Sequence, residues 1–186
     1  MSNYAEKRIH YRRYSDRRLA LLFRLYETLY HQEAGAGRDR LLLEAIQENY
    51  AADQAAFVTL SANGGSGAEI RARVGEWGPD GFREPLDGTG LSALWELQSG
   101  APGALTLTRV KRPPVFAREA WDDLWNQALP GKKSLLAVKI VPRKATPEAL
   151  WLVQSHYSRE WSSRDRDLAE EIAALMAISR DKAEAS

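Results

Sequence analysis

Three cations in two segments with strand character are the residues best suited to bind a ligand. Arg71 and Arg73 alternate with apolar residues in the segment 68–75, and Lys139 interrupts the apolar segment 135–141. Because neighbouring strand residues point to opposite faces, the alternation predicts one apolar and one cationic face for 68–75. Guanidinium and ammonium groups in a pocket bind carboxylates or phosphates. The three cations therefore predict either an anion site or a solvated sheet face.

Aromatic side chains form a second candidate set. Trp121 and Trp125 lie one helical turn apart in the segment 117–129, and Trp77 and Trp95 precede them. Such rings stack on a planar ligand when they line a pocket, and they bury large apolar areas when they fill a core. The spacing fits both roles, so the set predicts either the roof of a ligand pocket or plain packing.

His156 lies near the end of the predicted strand 149–158 and is a candidate ligand contact. A single histidine without a partner motif does not define a metal site, and we predict none. The chain has no cysteine, which excludes disulfides, thiolate metal sites, thiol nucleophiles and thioether attachment of a chromophore. Phosphate-binding glycine loops and zinc-protease motifs are also absent. We expect a protein without catalytic activity.

The segment 85–102 positions part of the aromatic set. Gly88 and Gly90 form a turn that opens into a short amphipathic helix. Glycine reaches backbone angles closed to other residues, and Thr89 or Ser92 can cap the helix. The residues predicted to face the core or the ligand are Leu91, Leu94 and Trp95.

The order of elements predicts an α+β domain with helices at both ends. Helical patterns cover 16–32, 39–50, the middle of 85–102, 117–129 and 163–179. Strand patterns cover 55–61, 68–75, 104–108, 134–142 and 149–158. Of 186 residues, 44% are hydrophobic and 27% are charged, which suits one globular domain with a core of its own.

The first and last helices carry apolar seams at heptad-like spacing. The residues predicted to form a dimer interface are Leu19, Leu22, Tyr26 and Leu29 in the first helix, and Leu168, Ile172 and Leu175 in the last. Such a seam is typical of a coiled coil or of a helix packed on a partner. The two seams exceed what packing on a sheet alone requires, so we expect a homodimer.

The net charge is only +1, so no overall field attracts nucleic acid or an anionic membrane. The segment 1–18 has six Lys and Arg against two acidic residues, and it predicts a solvated helix end, with nucleic-acid contact as the alternative. Apolar runs are too short to cross a bilayer, and the N-terminus lacks the apolar region of a signal peptide. We expect a cytoplasmic protein that contacts no membrane.

Three longer segments resemble a known family. Residues 41–60 are similar to its helix leading into the first strand, and 85–107 to its glycine turn, helix and strand entry. Residues 134–175 are similar to its closing hairpin and terminal helix. In their order and spacing the three segments resemble a GAF domain, a PAS-like regulatory module of signalling proteins.

The resemblance divides the chain into a helical region at 1–37, a GAF-like domain at 38–180 and a tail at 181–186. It implies a central antiparallel β-sheet with the terminal helices packed on one face and a ligand pocket, covered by connectors, on the other. It also implies dimerisation through the terminal helices. It specifies no ligand or cofactor, because the family binds varied small molecules or none.

The sequence lacks the signatures of several defined GAF subfamilies, which narrows the ligands and reactions to be expected. The Asn-Lys…Phe…Asp-Glu signature of cyclic-nucleotide-binding members is absent. Bilin attachment through cysteine and methionine-sulfoxide reductase chemistry both require cysteines, which the chain lacks. The sequence therefore predicts a noncatalytic sensory or regulatory domain, joined to an effector in a longer chain, that binds an unidentified small molecule. The alternative is a ligand-free scaffold that dimerises or docks a partner.

Overall fold

The computed structural model describes residues 2–60, 68–75, 88–100 and 103–183. The helices are α1 (Ser2–His31), α2 (Ala36–Tyr50), α3 (Thr89–Gly100), α4 (Arg118–Asp123) and α5 (Ser163–Ala183), and α4 continues into a π-helical turn at Leu124–Ala128. The strands are β1 (Gln54–Leu60), β2 (Ala68–Gly75), β3 (Leu105–Thr108), β4 (Ser134–Ile140) and β5 (Glu148–Gln154). The predicted α+β class is confirmed.

The five strands form one antiparallel sheet in the order β2-β1-β5-β4-β3. The central strand β5 is buried along its whole length. Because both faces of the sheet are covered, β4 and β5 are almost continuously apolar and do not alternate with polar residues. The sheet therefore separates two cores.

The helix face of the sheet is covered by α1, α2 and α5. Its fully buried side chains include Leu25, Leu43, Ile46, Phe57, Leu150, Leu152, Ile172 and Met176. A single apolar stripe along each helix is enough to make this contact. This core is the one expected of terminal helices packed on one face.

The connector face is covered by α3, α4 and the π-helical turn. Its fully buried side chains include Leu91, Leu94, Leu124, Trp125, Leu135 and Trp151. Helix α3 packs closely on α4, since a Cβ at Gly90 would lie 2.3 Å from the backbone nitrogen of Leu124. The glycine there is required by the approach of the two backbones.

The glycine turn before α3 is held by a side chain from α4. Asp123 Oδ2 accepts hydrogen bonds from the backbone N–H of Gly90 at 2.7 Å and from Thr89 Oγ1 at 3.3 Å. Ser92 Oγ instead donates to the carbonyl of Gly88. The predicted cap from Thr89 or Ser92 is therefore wrong, because a carboxylate from another helix takes that role.

The alternation predicted for 68–75 is also wrong, because β2 contains a β-bulge. Phe57 pairs with Ala72 but Val58 pairs with Ile70, which leaves Arg71 as an extra residue in β2. An extra residue reverses the faces of all residues beyond it. Ala72 consequently packs on the helix-face core and Ile70 on the connector-face core.

Candidate functional site

One edge of the sheet is open next to α3 and α5. Strand β3 pairs with β4 only from Ser134 to Ala137, so within the described ranges no strand pairs with the outer edge of β4 beyond Ala137. A groove of about 560 Å³, which we call the edge groove, lies there between the end of α3 and the middle of α5. The residues that line it include Gln98, Ser99, Val138, Lys139, Glu170 and Ala173.

Lys139 and Ser99 supply the exposed polar groups of the edge groove. Lys139 Nζ donates a hydrogen bond to Ser99 Oγ at 2.9 Å, and Ser99 Oγ donates to the Trp95 carbonyl at 2.8 Å. The Glu170 carboxylate accepts the backbone N–H of Ala104 at 2.9 Å. The ammonium group is therefore placed by a serine hydroxyl, with donors left to offer to a ligand.

Gln98 supplies a buried polar group to the same groove. It is only 4% exposed, and neither its Nε2 nor its Oε1 has a hydrogen-bond partner among the described residues. Burying an amide without a partner costs about 1–3 kcal/mol, so such a group is rare in a native structure. The amide carries one acceptor and two donors, and it lies buried at the wall of the groove, so a ligand would reach it after a rotation of the side chain.

The edge groove also has an apolar wall. Val138 from β4 and Ala173 and Ala177 from α5 line it opposite the polar groups. A concave site with a few polar groups on an apolar background is typical of small-molecule binding. Its chemistry suits a small molecule that carries hydrogen-bond acceptors beside an apolar part.

The structure does not bring the three predicted cations together. Lys139 lies in the edge groove, whereas Arg71 lies on the helix face, with Nε 2.9 Å from Asp39 Oδ2 and Nη1 2.5 Å from Glu148 Oε1. Arg73 pairs with Ala56, a residue of the connector-face core, and is exposed near the sheet edge. The bulge in β2 separates the two arginines, so an anion site made of all three cations is not formed.

The predicted aromatic residues lie mostly in the connector-face core. Trp121 and Trp125 are 6% and 1% exposed, with ring centroids 5.5 Å apart in an edge-to-face arrangement. Trp95 is half-buried and stacks on Trp151 at 5.9 Å. Leu91 is fully buried, and Trp77 lies outside the described residues. Packing accounts for Trp121 and Trp125 in this structure.

His156 lies at the opposite end of β5 from Lys139. Its Nδ1 is 3.0 Å from Asp53 Oδ2, and Asp53 also accepts the backbone N–H groups of Ser155 and His156. Burial of Asp53 opposes ionisation, but these hydrogen bonds outweigh it and hold the pKa of the carboxyl below its ordinary value. His156 therefore belongs to a turn-stabilising pair, away from the edge groove.

The predicted dimer residues divide between surface and interior. Leu19 and Tyr26 are 60% and 56% exposed, while the others contact the helix-face core: Leu22, Leu29, Leu168, Ile172 and Leu175. Leu168 and Ile172 are almost fully buried in their own chain. They are unavailable to a second copy, because α5 uses this stripe to pack on the sheet.

The exposed apolar residues of α1 follow a different seam. They are Leu19, Phe23, Tyr26 and Tyr30. Their 4-3-4 spacing is that of one side of a coiled coil, and Tyr26 and Tyr30 stack with ring centroids 6.1 Å apart. We call these four residues the outer stripe.

A buried ion-pair network on the helix face was not predicted. Arg180 Nη1 lies 2.8 Å from Asp39 Oδ1, and Arg180 Nε lies 3.2 Å from Glu148 Oε1. These three side chains are no more than 3% exposed, and Arg71 closes the network from the surface. Each of the three follows the apolar periodicity of its own element, which was the available sequence indication. The same indication applied to Gln98, one turn after Leu94 in α3.

Within the described ranges, no group of three or more His, Asp or Glu side chains could hold a metal ion. No helix there is long and apolar enough to cross a membrane.

Comparison with known proteins gives matches of structure. No protein-family model and no curated protein matches the sequence. The GAF domain of a protein classed as a sensor histidine kinase from Pseudomonas syringae pv. tomato superposes with a TM-score of 0.61 at 18% identity, covering 97% of this chain and 96% of that chain. The phycocyanobilin-bound GAF domain of a cyanobacterial phytochrome gives a TM-score of 0.71 at 11% identity, covering 90% and 96%.

A third similar structure is the GAF domain of a phosphoenolpyruvate-protein phosphotransferase from Coxiella burnetii. Its TM-score is 0.65 at 13% identity, with 90% of this chain and 95% of that chain covered. All three matches span nearly the whole of both chains, and all three solved structures are GAF domains. The chain therefore has the fold of a GAF domain, and the resemblance noted in the sequence is confirmed at the level of the fold.

Proposed function

We propose that this protein is a noncatalytic sensory or regulatory domain that binds a small molecule in the edge groove. The observation that carries the proposal is Gln98, whose buried amide has no partner and lines the groove beside Lys139. A ligand with acceptors for Lys139 and for Gln98 Nε2, and a donor for Gln98 Oε1, would satisfy both side chains at once. The cost of the unpaired amide would then be recovered on binding.

The solved structures that share the fold support a sensory role. One holds phycocyanobilin, one belongs to a protein classed as a sensor histidine kinase, and one to a phosphotransferase. Covalent attachment of a bilin through cysteine does not apply here, because the chain has no cysteine. A thermal-shift screen would identify the ligand.

We further propose that two copies associate through the outer stripe of α1. Four large apolar side chains at coiled-coil spacing are exposed to solvent in the single chain. In this proposal residues 1–37 form the dimerising region, 38–180 the sensory domain and 181–186 the tail. Ligand binding against α5 would shift the terminal helices and so alter an effector joined to them.

The alternative is a ligand-free scaffold that only dimerises or docks a partner. The observation that favours it is the filling of the connector face, where Trp121 and Trp125 occupy the side on which the family resemblance implied a pocket. In that case the edge groove would stay empty and the outer stripe would carry the function.

A thermal-shift screen of nucleotides, tetrapyrroles and metabolites separates the two functions. A ligand at a hundred times its dissociation constant stabilises the folded state by about 2.7 kcal/mol, which raises the melting temperature measurably. We expect at least one compound to do so for the wild type, and Lys139→Ala and Gln98→Leu to reduce the shift. Lys111→Ala, at an exposed lysine outside the groove, serves as the control. No shift with any compound would favour the scaffold.

A further inference from the structure

A second cavity lies on the helix face and is lined by other residues than the edge groove. It occupies about 410 Å³ where the ends of α1 and α5 meet the start of α2. The residues that line it include Tyr26, Leu29, Glu33, Arg38, Leu175 and Ile178. We call it the helix cavity. Its volume is within the range of small-ligand sites.

Arg38 is the buried charged residue among those that line the helix cavity. It is 7% exposed, and its Nε and Nη2 are buried without a hydrogen-bond partner in the part of the chain that the structure describes. A guanidinium offers five N–H donors and no acceptor, so only an acceptor can satisfy it. Burial, and secondarily the positive charge of Arg180, lower the pKa of Arg38 from its ordinary value.

The carboxylates near Arg38 form ion pairs with other arginines. Asp39 Oδ1 lies 2.8 Å from Arg180 Nη1, and Asp39 Oδ2 lies 2.9 Å from Arg71 Nε. Glu148 contacts the same two arginines. The group therefore holds three cations against two carboxylates, so one positive charge is left over at Arg38.

Glu33 is the carboxylate that lines the helix cavity itself. It is exposed to solvent, and no ion pair joins it to Arg38. A buried charge without a partner is costly, and a buried charge with a bidentate carboxylate partner is far less so. Among the described residues no carboxylate pairs with Arg38, so the helix cavity suits an anionic ligand.

The other residues of the helix cavity are mostly apolar or aromatic, and Glu33, Ser179 and Lys182 are the polar ones. Leu29 and Leu175 pack at the edge of the helix-face core, and the side chains of Tyr26 and Ile178 form exposed walls. A bare inorganic anion would leave these surfaces in water. A ligand with a charged head and an apolar tail would cover them.

We propose that the helix cavity binds an amphipathic carboxylate, with its head on Arg38 and its tail along Leu29, Leu175 and Ile178. The site is independent of the edge groove and of whether that groove binds a ligand. The head group would complete the buried charge network, and the tail would lie between the terminal helices.

The test uses isothermal titration of the full chain with three probes. Octanoate carries head and tail, acetate carries the head alone, and 1-octanol carries the tail alone. We expect octanoate to bind at least tenfold more tightly than either of the others. Equal binding of octanoate and 1-octanol, or no binding of octanoate, would overturn the proposal.

Two variants locate the site. Arg38→Gln removes the guanidinium and should weaken octanoate binding at least tenfold, while Arg40→Gln, at an exposed arginine two residues away that pairs with Glu44, should not. Unchanged affinity in Arg38→Gln would refute the role of this residue.

A melting curve without ligand guards against misfolding of the variant. Because Arg38→Gln removes an unpaired buried charge, we expect its melting temperature to equal or exceed that of the wild type. A lowered melting temperature would mean that Arg38 already has a partner in the chain, and it would count against the proposal.

Discussion

At the residue scale, charge placement was the feature least accessible from sequence. Arg71 and Arg73 alternate with apolar residues, yet the bulge at Arg71 sends one to the helix face and the other to the opposite side. An alternating sequence pattern does not reveal a β-bulge, because the residue types still alternate on both sides of the extra residue. For Lys139 the sequence left a ligand pocket and a solvated sheet face open, and the structure places it in the edge groove. The partners of Asp39, Glu148 and Arg180 could not be predicted, since they depend on how α2, β5 and α5 meet.

The buried network leads to a stability prediction. Asp39→Asn leaves Arg180 and Arg71 with one carboxylate in place of two, and removing one partner of a buried pair typically costs about 3–5 kcal/mol. We expect urea unfolding to show a loss of that size. Glu48→Gln breaks the exposed ion pair with Arg24. The Arg24 side chain is 57% exposed and the Glu48 side chain 75%, so the loss of stability should be less than about 1 kcal/mol. Equal losses in the two variants would show that the network is not a buried one.

Asp53 leads to a pH prediction. Its pKa is lowered in the folded state from an ordinary value of 3.8, so the folded protein binds this proton more weakly than the unfolded chain. The resulting stability is present above pH 3.8 and is lost as the pH falls through the folded pKa. Asp53→Asn should therefore cost about 1–2 kcal/mol at pH 7, and the difference from the wild type should shrink below about pH 4. A difference that stays constant with pH would contradict the assigned ionisation.

At the element scale, the helices and strands were largely predictable and their ends were not. Helix α1 begins at Ser2 rather than near residue 16, because the intervening residues contain neither glycine nor proline to stop it. The start of α3 depends on Asp123, which no local pattern connects to Gly90. Contacts between elements decide such boundaries.

The contact between α3 and α4 gives a prediction with an internal control. In Gly90→Ala the new Cβ would meet backbone atoms of Leu124 and Ala120 at 2.3 and 2.4 Å, so the helices must separate. We expect a loss of about 1–3 kcal/mol in chemical unfolding. Gly100→Ala, at the end of the same helix, meets nothing within 4 Å and should be neutral or stabilising by up to about 1 kcal/mol. Similar effects at both positions would contradict the close packing.

At the scale of the whole molecule, the resemblance of three segments to the GAF family predicted the fold, while the exposed surface of the helices could not be predicted. Sequence periodicity finds every apolar stripe of a helix, but it does not tell which stripe meets the sheet. Periodicity in α1 and α5 therefore predicted interface roles for Leu22, Leu29, Leu168 and Ile172. These residues contact the chain's own core instead. The edge groove depends on β3 being shorter than β4, which a sequence pattern does not fix.

Association through the outer stripe can be tested with one charge. Phe23 is 64% exposed, and Phe23→Glu would bury a carboxylate in the proposed interface. We expect sedimentation equilibrium to show at least a tenfold weaker dimer, equivalent to about 1.4 kcal/mol, with an unchanged circular dichroism spectrum. Leu41→Glu, at an exposed apolar residue of α2 outside the stripe, should leave the dimer intact. A monomeric wild type at micromolar concentration would exclude this mode of assembly.

Binding in the edge groove is the central claim, and amide chemical shifts measured by NMR test it most directly. The wild type would be titrated with each compound that raises its melting temperature. The account predicts that the largest shifts fall on Ser99, Lys139 and Glu170, which line the groove from three elements. Shifts that with every compound are confined to the helix face around Arg38 and Leu175, or scattered over the surface with none in the groove, would contradict it.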